Sequence, residues 1–273
     1  MRRSMMGKRK KLFIKRFYPA GNYTWIVPRG CTSVDVFLVG GGSGAGQISS
    51  GSSYGGGGGG YTKTYRGVGY VRPSSGSWMG TYNDGRDGDA ITVFPGQIVA
   101  VTVGAGGNGG DGGYSQFMDD RHRAEGGRCV KVNLHGGNGG SGGSGEDESS
   151  SVYGGNGGSD GLPGGGVYRG EGQNHTTRDF GEPSGKRNAG GGTGCSHRMK
   201  EYHGGESDYE EGSGESFNRR QDSYVGGKGG GGYGGGAGGT FGNNASTRGV
   251  FSRILPEVDI FMIWHLINWI SCR

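Results

Sequence analysis

Three groups of residues have types and spacings that could do chemistry. Cys195 and His197 are followed by His203, with Glu201 and Glu206 nearby. Thiolates and imidazoles are zinc ligands, but this spacing fits no standard zinc module. A polar loop that contains histidine accounts for it. Asp84, Asp87 and Asp89 in NDGRDGD offer oxygen ligands. The glutamate that would close a helix-loop-helix calcium site is missing, so a turn is expected. Residues 36–46 read VFLVGGGSGAG, an apolar run entering glycines. A dinucleotide site needs a helix next, with its N-terminus at the pyrophosphate, and an acid about 20 residues on. Residues 49–60 are too rich in glycine and serine to be that helix. There is no G-x-x-x-x-G-K-[ST] run. His122, His135, His175, His197, His203 and His265 fall in polar inserts or near the C-terminus, without a scaffold for nucleophilic catalysis. The expectation is a non-enzyme with no cofactor and no metal.

A fourth group suits recognition instead. Residues 167–188 contain Tyr168, Arg169, His175, Arg178, Asp179 and Phe180. Residues 201–216 hold six acids (Glu201, Glu206, Asp208, Glu210, Glu211, Glu215) and no Lys or Arg, together with Tyr202, His203 and Tyr209. Phe217, Arg219, Arg220 and Tyr224 follow. Tyr and Arg among Ser, Gly and Asn form the palette of adaptable binding loops.

Glycine must position these loops. Residues 106–114 read GGN GGD GGY, residues 136–144 read GGN GGS GGS, and residues 226–240 continue in the same phase. A period of three belongs to an extended polyproline II helix, not to an α-helix or a strand. Two glycine columns leave bare faces, and the third column carries Asn108, Asp111 and Tyr114. Bare faces let backbones approach closely enough to bond. Flexible linkers are also glycine-rich, but they seldom keep a triplet phase. Collagen needs abundant proline, and here there are 7 Pro in 273 residues. The expected core is therefore built largely of backbone.

Composition agrees. Gly accounts for 71 of 273 residues, and the hydrophobic fraction is only 30%. That supports one small apolar unit. Ordering each residue costs about 1–2 kcal/mol of backbone entropy, which dense hydrogen bonding or assembly must offset. Net charge is +5. Residues 1–16 hold eight basic side chains and no acid; taking 8 from 29 leaves 21 basic residues against 24 acidic ones. The body is thus not a basic nucleic-acid surface. Cys31, Cys129, Cys195 and Cys272 are widely spaced, with no C-x-x-C, and predict no disulfide framework. The basic start runs into FIKRF with no apolar signal segment.

Conventional β signals are confined to the first hundred residues. Residues 23–27 read YTWIV, residues 33–39 alternate with Val34, Val36 and Leu38 on one face, and residues 91–94 reach the turn Pro95-Gly96. Residues 97–103 then align Val99, Val101 and Val103. These predict a small antiparallel β unit with Trp25 and Phe37 in its core. The fold class expected is mostly β and irregular: that β unit, then a packed bundle of polyglycine II helices with long connecting loops. The boundaries are a basic leader at 1–11, the β unit with a glycine-rich insertion at 12–103, the bundle at 104–240 and an apolar tail at 241–273. The inserts 115–135, 146–153, 167–188 and 195–225 are the expected loops.

The residue order resembles a known domain. Phe17, then Gly21-x-Tyr23-Thr24-Trp25-x-Val27-Pro28-x-Gly30, then Val34-x-Val36-x-Leu38-Val39-Gly40-Gly41-Gly42, is similar to the opening of glycine-rich domains in bacteriophage tail proteins. The glycines at 55–60 with Tyr61, and Pro95-Gly96-Gln97-x-Val99-x-Val101-x-Val103-Gly104, continue the pattern. In the tail-fibre-tip adhesins that this chain resembles, polyglycine II helices pack in a sandwich and loops bind the host receptor. The resemblance implies a virion adhesin whose partners are a bacterial surface receptor (an outer-membrane protein or polysaccharide) and other tail-fibre or virion proteins. It implies no nucleic acid and no membrane insertion. The alternative is a non-enzymatic structural or assembly protein with a glycine-rich spacer. Such domains usually close with a short apolar strand. Here residues 250–273 read VFSRILPEVDIFMIWHLINWISCR. This segment is too short and polar to span a membrane well, and it predicts either a docking helix or the product of an altered reading frame.

Overall fold

The computed structural model describes residues 12–44, 56–67, 87–107, 109–129, 136–140, 142, 177–181, 184–192 and 258–263. They form nine strands and almost no helix. β1 is Leu12–Phe17, β2 Gly21–Ile26, β3 Ser33–Val39, β4 Thr62–Tyr65 and β5 Ile91–Thr92. β6 is Ile98–Val103, β7 Ser115–Phe117, β8 Arg123–Ala124 and β9 Val258–Ile263. One sheet runs β1-β9-β3-β4, with β5 paired to the start of β3; the other runs β2-β6-β7-β8. All these strand pairings are antiparallel.

Alternation explains the packing between the sheets. Val34, Val36 and Leu38 of β3 point inward with Trp25 and Val27, and with Val99, Val101 and Val103 of β6. Phe117 and Ala124 of the β7–β8 hairpin complete this core, the Phe117 ring lying 6.0 Å from Trp25. Phe37 corrects the expectation of a shared core. It has odd parity on β3, so it faces the other side of the sheet and packs with Val39, Phe180 and Ala189. β3 is buried on both faces because a second layer covers it.

Two further expectations change. The insert 115–135 is not simply a loop, since residues 115–124 make the β7–β8 hairpin and anchor it with buried Phe117. Within the tail, residues 258–263 are a strand rather than a docking helix. β9 lies between β1 and β3, pairing Phe17 with Val258 on one side and Leu38 with Val258 on the other. It satisfies two strand edges that a helix there would leave exposed.

Strand direction gives the sandwich two unlike ends. β3 and β6 run directly into Gly40 and Gly104, β8 runs through Glu125 into Gly126, and β4 and β7 emerge from glycine through Tyr61 and Tyr114. Register brings these junctions to one end: Val39 lies opposite Thr62, and Thr102 opposite Gln116. The opposite end holds the 94–97 turn, where Gln97 N donates to Phe94 O, and the hairpin tip, where His122 N donates to Asp119 O. Leu12 at the start of β1 and Ile263 at the end of β9 are paired there as well.

Candidate functional site

The glycine end is built from segments 40–44, 56–60, 104–107, 109–114, 125–128, 136–140 and 189–192. Their backbone bonds run in several directions. Gly41 N donates to Gly113 O at 2.8 Å, Gly112 N to Gly127 O at 2.9 Å, and Gly127 N to Gly41 O at 2.9 Å. Three segments thus close a ring. Segment 40–44 also donates from Ser43 to Gly58 O at 2.9 Å and accepts at Gly42 O from Gly107 N at 2.8 Å. A strand in a sheet has at most two bonded neighbours; this segment has four. Further out, Gly137 N donates to Gly56 O and Gly192 N to Gly57 O, each at 2.9 Å.

This layer requires missing side chains. A Cβ on Gly41 would meet the Ala105 carbonyl, and one on Gly112 would meet the Gly41 carbonyl. The third column of the triplet behaves differently. Asp111 and Tyr114 are exposed, and Asp111 latches a neighbouring segment. Its Oδ1 accepts from Cys129 N at 2.7 Å and its Oδ2 from Arg128 Nη1 at 2.8 Å. The 40–44 stretch that mimicked a dinucleotide fingerprint forms no helix, and its amides at Gly41, Ser43 and Gly44 are taken by other glycine carbonyls.

One insert is held against this scaffold. Arg178 and Arg187 form an antiparallel bridge. Asn188 N donates to Thr177 O at 3.1 Å, and Asp179 N to Lys186 O at 3.0 Å. Buried Asn188 ties the loop from inside, its Nδ2 donating to Asp179 Oδ1 at 2.7 Å and to Lys186 O at 3.0 Å. Arg178 Nη1 donates to Gly185 O at 2.9 Å. Phe180 is 4% exposed, with its ring 5.6 Å from Phe37. Its φ of +52° is uncommon for a bulky residue, and the buried ring offsets that strain.

Of the residues the sequence groups for recognition, the structure places Arg178 and Phe180, and Asp179 between them. Arg178 braces its own loop, and Phe180 is inside the fold. Tyr168, Arg169, His175, Tyr202, His203, Tyr209, Phe217, Arg219, Arg220 and Tyr224 lie outside the described residues, as do Cys195, His197, Glu201, Glu206 and Asp84. Asp87 serves the fold: its Oδ2 accepts from Thr64 N at 2.8 Å. Among the described residues no group of three His, Cys, Asp or Glu side chains could hold a metal ion, and no helix is long and apolar enough to cross a membrane. The roles of Asn188, Phe37 and Asp111 were not foreseen. The signal for Asp111 was present: it is an acid in the side-chain column of a triplet.

Burial pushes the Asp179 carboxyl above its ordinary 3.8, opposed by the Asn188 hydrogen bond and by the charges of Arg16 and Lys186. A raised folded-state pKa disfavours the native state once the carboxyl ionises. The sign is thus fixed: the penalty is absent below about 3.8 and develops as pH rises through the folded value. Asp179→Asn should melt above the wild type at neutral pH, and the difference should vanish on acidification. A difference that grows toward acid would reverse the assignment.

No curated protein matches the chain. The family model for the glycine-rich domain matches residues 18–250, which take in β2 to β8 and the glycine segments and leave β1 and β9 outside. The chain belongs to the glycine-rich domain family.

Proposed function

We propose that this chain is a bacteriophage tail-tip adhesin that binds a bacterial surface receptor, without catalysis, through loops displayed at its glycine end. The glycine tracts act in this reading as a bundle of polyglycine II helices. What supports the bundle is the fan of backbone bonds from segment 40–44 to four neighbours, together with contacts too close for a Cβ. What carries the adhesin reading is polarity. The described junctions of the strands with glycine segments 40–44, 56–60, 104–107, 109–114 and 125–128 lie at one end of the sandwich, while Leu12 and Ile263 lie at the other. In this reading the receptor is met at the glycine end and the particle at the end where Leu12 lies. Rigid presentation lowers the ordering cost of binding.

The test is binding of purified full-length protein to a panel of candidate host strains, beside a version lacking residues 195–225. Saturable binding to some strains, lost in the deletion, is expected. A folded protein that binds no strain would move the assignment to the alternative, a structural spacer of a phage tail or bacterial surface. The burial of Phe180 and Phe117 within the inserts favours that alternative to a degree: parts of the inserts are fold, not display.

A further inference from the structure

An asparagine stands directly before a glycine at Asn138–Gly139, inside the glycine layer. This pair carries its own reagent. The glycine amide nitrogen can attack the carbonyl carbon of the asparagine side chain, and with no Cβ on the glycine little hinders its approach. Ring closure makes one conformational demand. The peptide plane between the two residues must swing toward the side chain.

The layer holds that plane. Asn138 O belongs to it and accepts from Arg128 N at 2.7 Å. On either side, Gly137 N donates to Gly56 O at 2.9 Å and Gly140 N to Gly59 O at 3.1 Å. Gly139 lies so close to Gly59 that an added Cβ would meet the Gly59 carbonyl. Arg128 is itself fixed, because Asp111 accepts from Arg128 Nη1 at 2.8 Å and from Cys129 N at 2.7 Å. Swinging the plane turns Asn138 O away from Arg128 N and pulls against a latch that ends at Asp111. Asn138 is only half-buried, so access of water is not what restrains the reaction.

We propose that Asn138–Gly139 is a self-modification site gated by the glycine layer: unreactive while segment 136–140 is bonded, and deamidated once that segment opens. The chemistry needs only water. Gly139 N bonds to Asn138 Cγ and gives up its proton, the Cγ–Nδ2 bond breaks, and ammonia leaves with that proton. Water then adds to either carbonyl of the succinimide ring. One ring opening gives aspartate. The other gives isoaspartate, whose backbone runs through the side chain and is one methylene longer. Gly137 and Gly140 are anchored to Gly56 and Gly59, and the extra methylene puts the two anchors out of step. The isoaspartate form cannot close again, so a passing opening leaves a permanent record. None of this rests on the adhesin reading, since the readouts are mass and amide exchange rather than cell binding.

The experiment incubates the full chain in mildly alkaline buffer, folded and in urea, and follows conversion at residue 138 by peptide mass spectrometry. Conversion should be at least about tenfold slower in the folded chain, because the time that a bonded segment spends open sets the rate. Asp111→Ala removes the latch without altering residue 138. It should raise the folded rate at least about threefold and leave the rate in urea unchanged. Should that variant fail to fold, urea below the unfolding transition serves on the wild type: conversion should rise together with exchange of the Arg128 amide. Chain converted in urea and returned to buffer should keep fast exchange at Gly137 and Gly140 in its isoaspartate fraction. Equal rates in the folded and urea-treated chain, a folded Asp111→Ala that converts no faster than the wild type, or conversion in dilute urea that does not follow Arg128 exchange would overturn the gate. Isoaspartate chains that regain full protection at Gly137 and Gly140 would overturn the permanent record.

Discussion

Gly112→Ala should destabilise the protein by about 3 kcal/mol or more, whereas Gly110→Ala, two residues away in the same triplet run, should change stability by no more than about 0.5–1 kcal/mol in either direction. The contrast isolates close approach from glycine's other properties. A Cβ at Gly112 would land on the Gly41 carbonyl and within 2.8 Å of Gly42 O, contacts that real side chains do not make. Something must move, and what moves is backbone. Displacing segment 40–44 lengthens the bonds it shares with Gly113, Gly127, Gly58 and Gly107, each worth roughly 0.5–1.5 kcal/mol net. Gly110 has nothing within 4 Å of its added Cβ, and its carbonyl still accepts from Gly44 N. The unfolded state loses freedom in both variants, which favours folding slightly. Thermal melting reads the difference: a fall of roughly 6–12 °C for Gly112→Ala against little change for Gly110→Ala. Equal, small shifts in both variants would mean that the layer is loosely held and that the triplet phase serves something other than close packing.

The strands were legible where alternation was clean. Residues 33–39 matched β3 from end to end, and residues 97–103 missed β6 by one residue, because valine on alternate positions carries the period of a half-buried strand. Four kinds of position hid their roles. Phe37 alternates with Val36 and Leu38 correctly, but the sequence does not show that a second layer covers its face. β4 (TKTY) and β7 (SQF) are short and polar, and glycine segments separate them from the strands β3 and β6 that precede and pair with them. β9 reads as an apolar segment of no fixed period, and only the unfilled space between β1 and β3 makes it a strand. Phe180 reads as a recognition aromatic because Tyr and Arg surround it; its partner Phe37 is 143 positions earlier, a separation that local pattern cannot bridge. Triplet phase revealed the backbone packing but not its connectivity, because identical glycines carry no register information. The side-chain column did carry some, as Asp111 shows by gripping Arg128 and Cys129.

Phe180→Ala should open the 177–188 loop while leaving the sandwich folded. Removing a buried phenylalanine ring costs about 3–5 kcal/mol, and here the loss falls on a small cluster of Phe37, Val39 and Ala189 that the main core does not share. The backbone strain at φ +52° then has no burial to offset it. The bonds from Asn188 Nδ2 to Asp179 and Lys186 lose the anchor that holds them out of water. Amide exchange at Asp179, Gly181 and Asn188, whose N–H groups donate within the loop, should accelerate by at least about 100-fold, since 1.4 kcal/mol corresponds to a factor of ten. The amides of Gly41, Gly112 and Gly127 should keep their protection. Phe180→Leu should recover much of the loss by refilling the cluster. If the loop displays receptor-binding residues, Phe180→Ala should also weaken cell binding although its ring touches no receptor, and it should do so through a faster off-rate, because a disordered loop must be reordered in every complex. Unchanged exchange in the loop would sink the anchoring role. Faster exchange with unaltered cell binding would separate residues 177–188 from recognition and leave them to the fold alone.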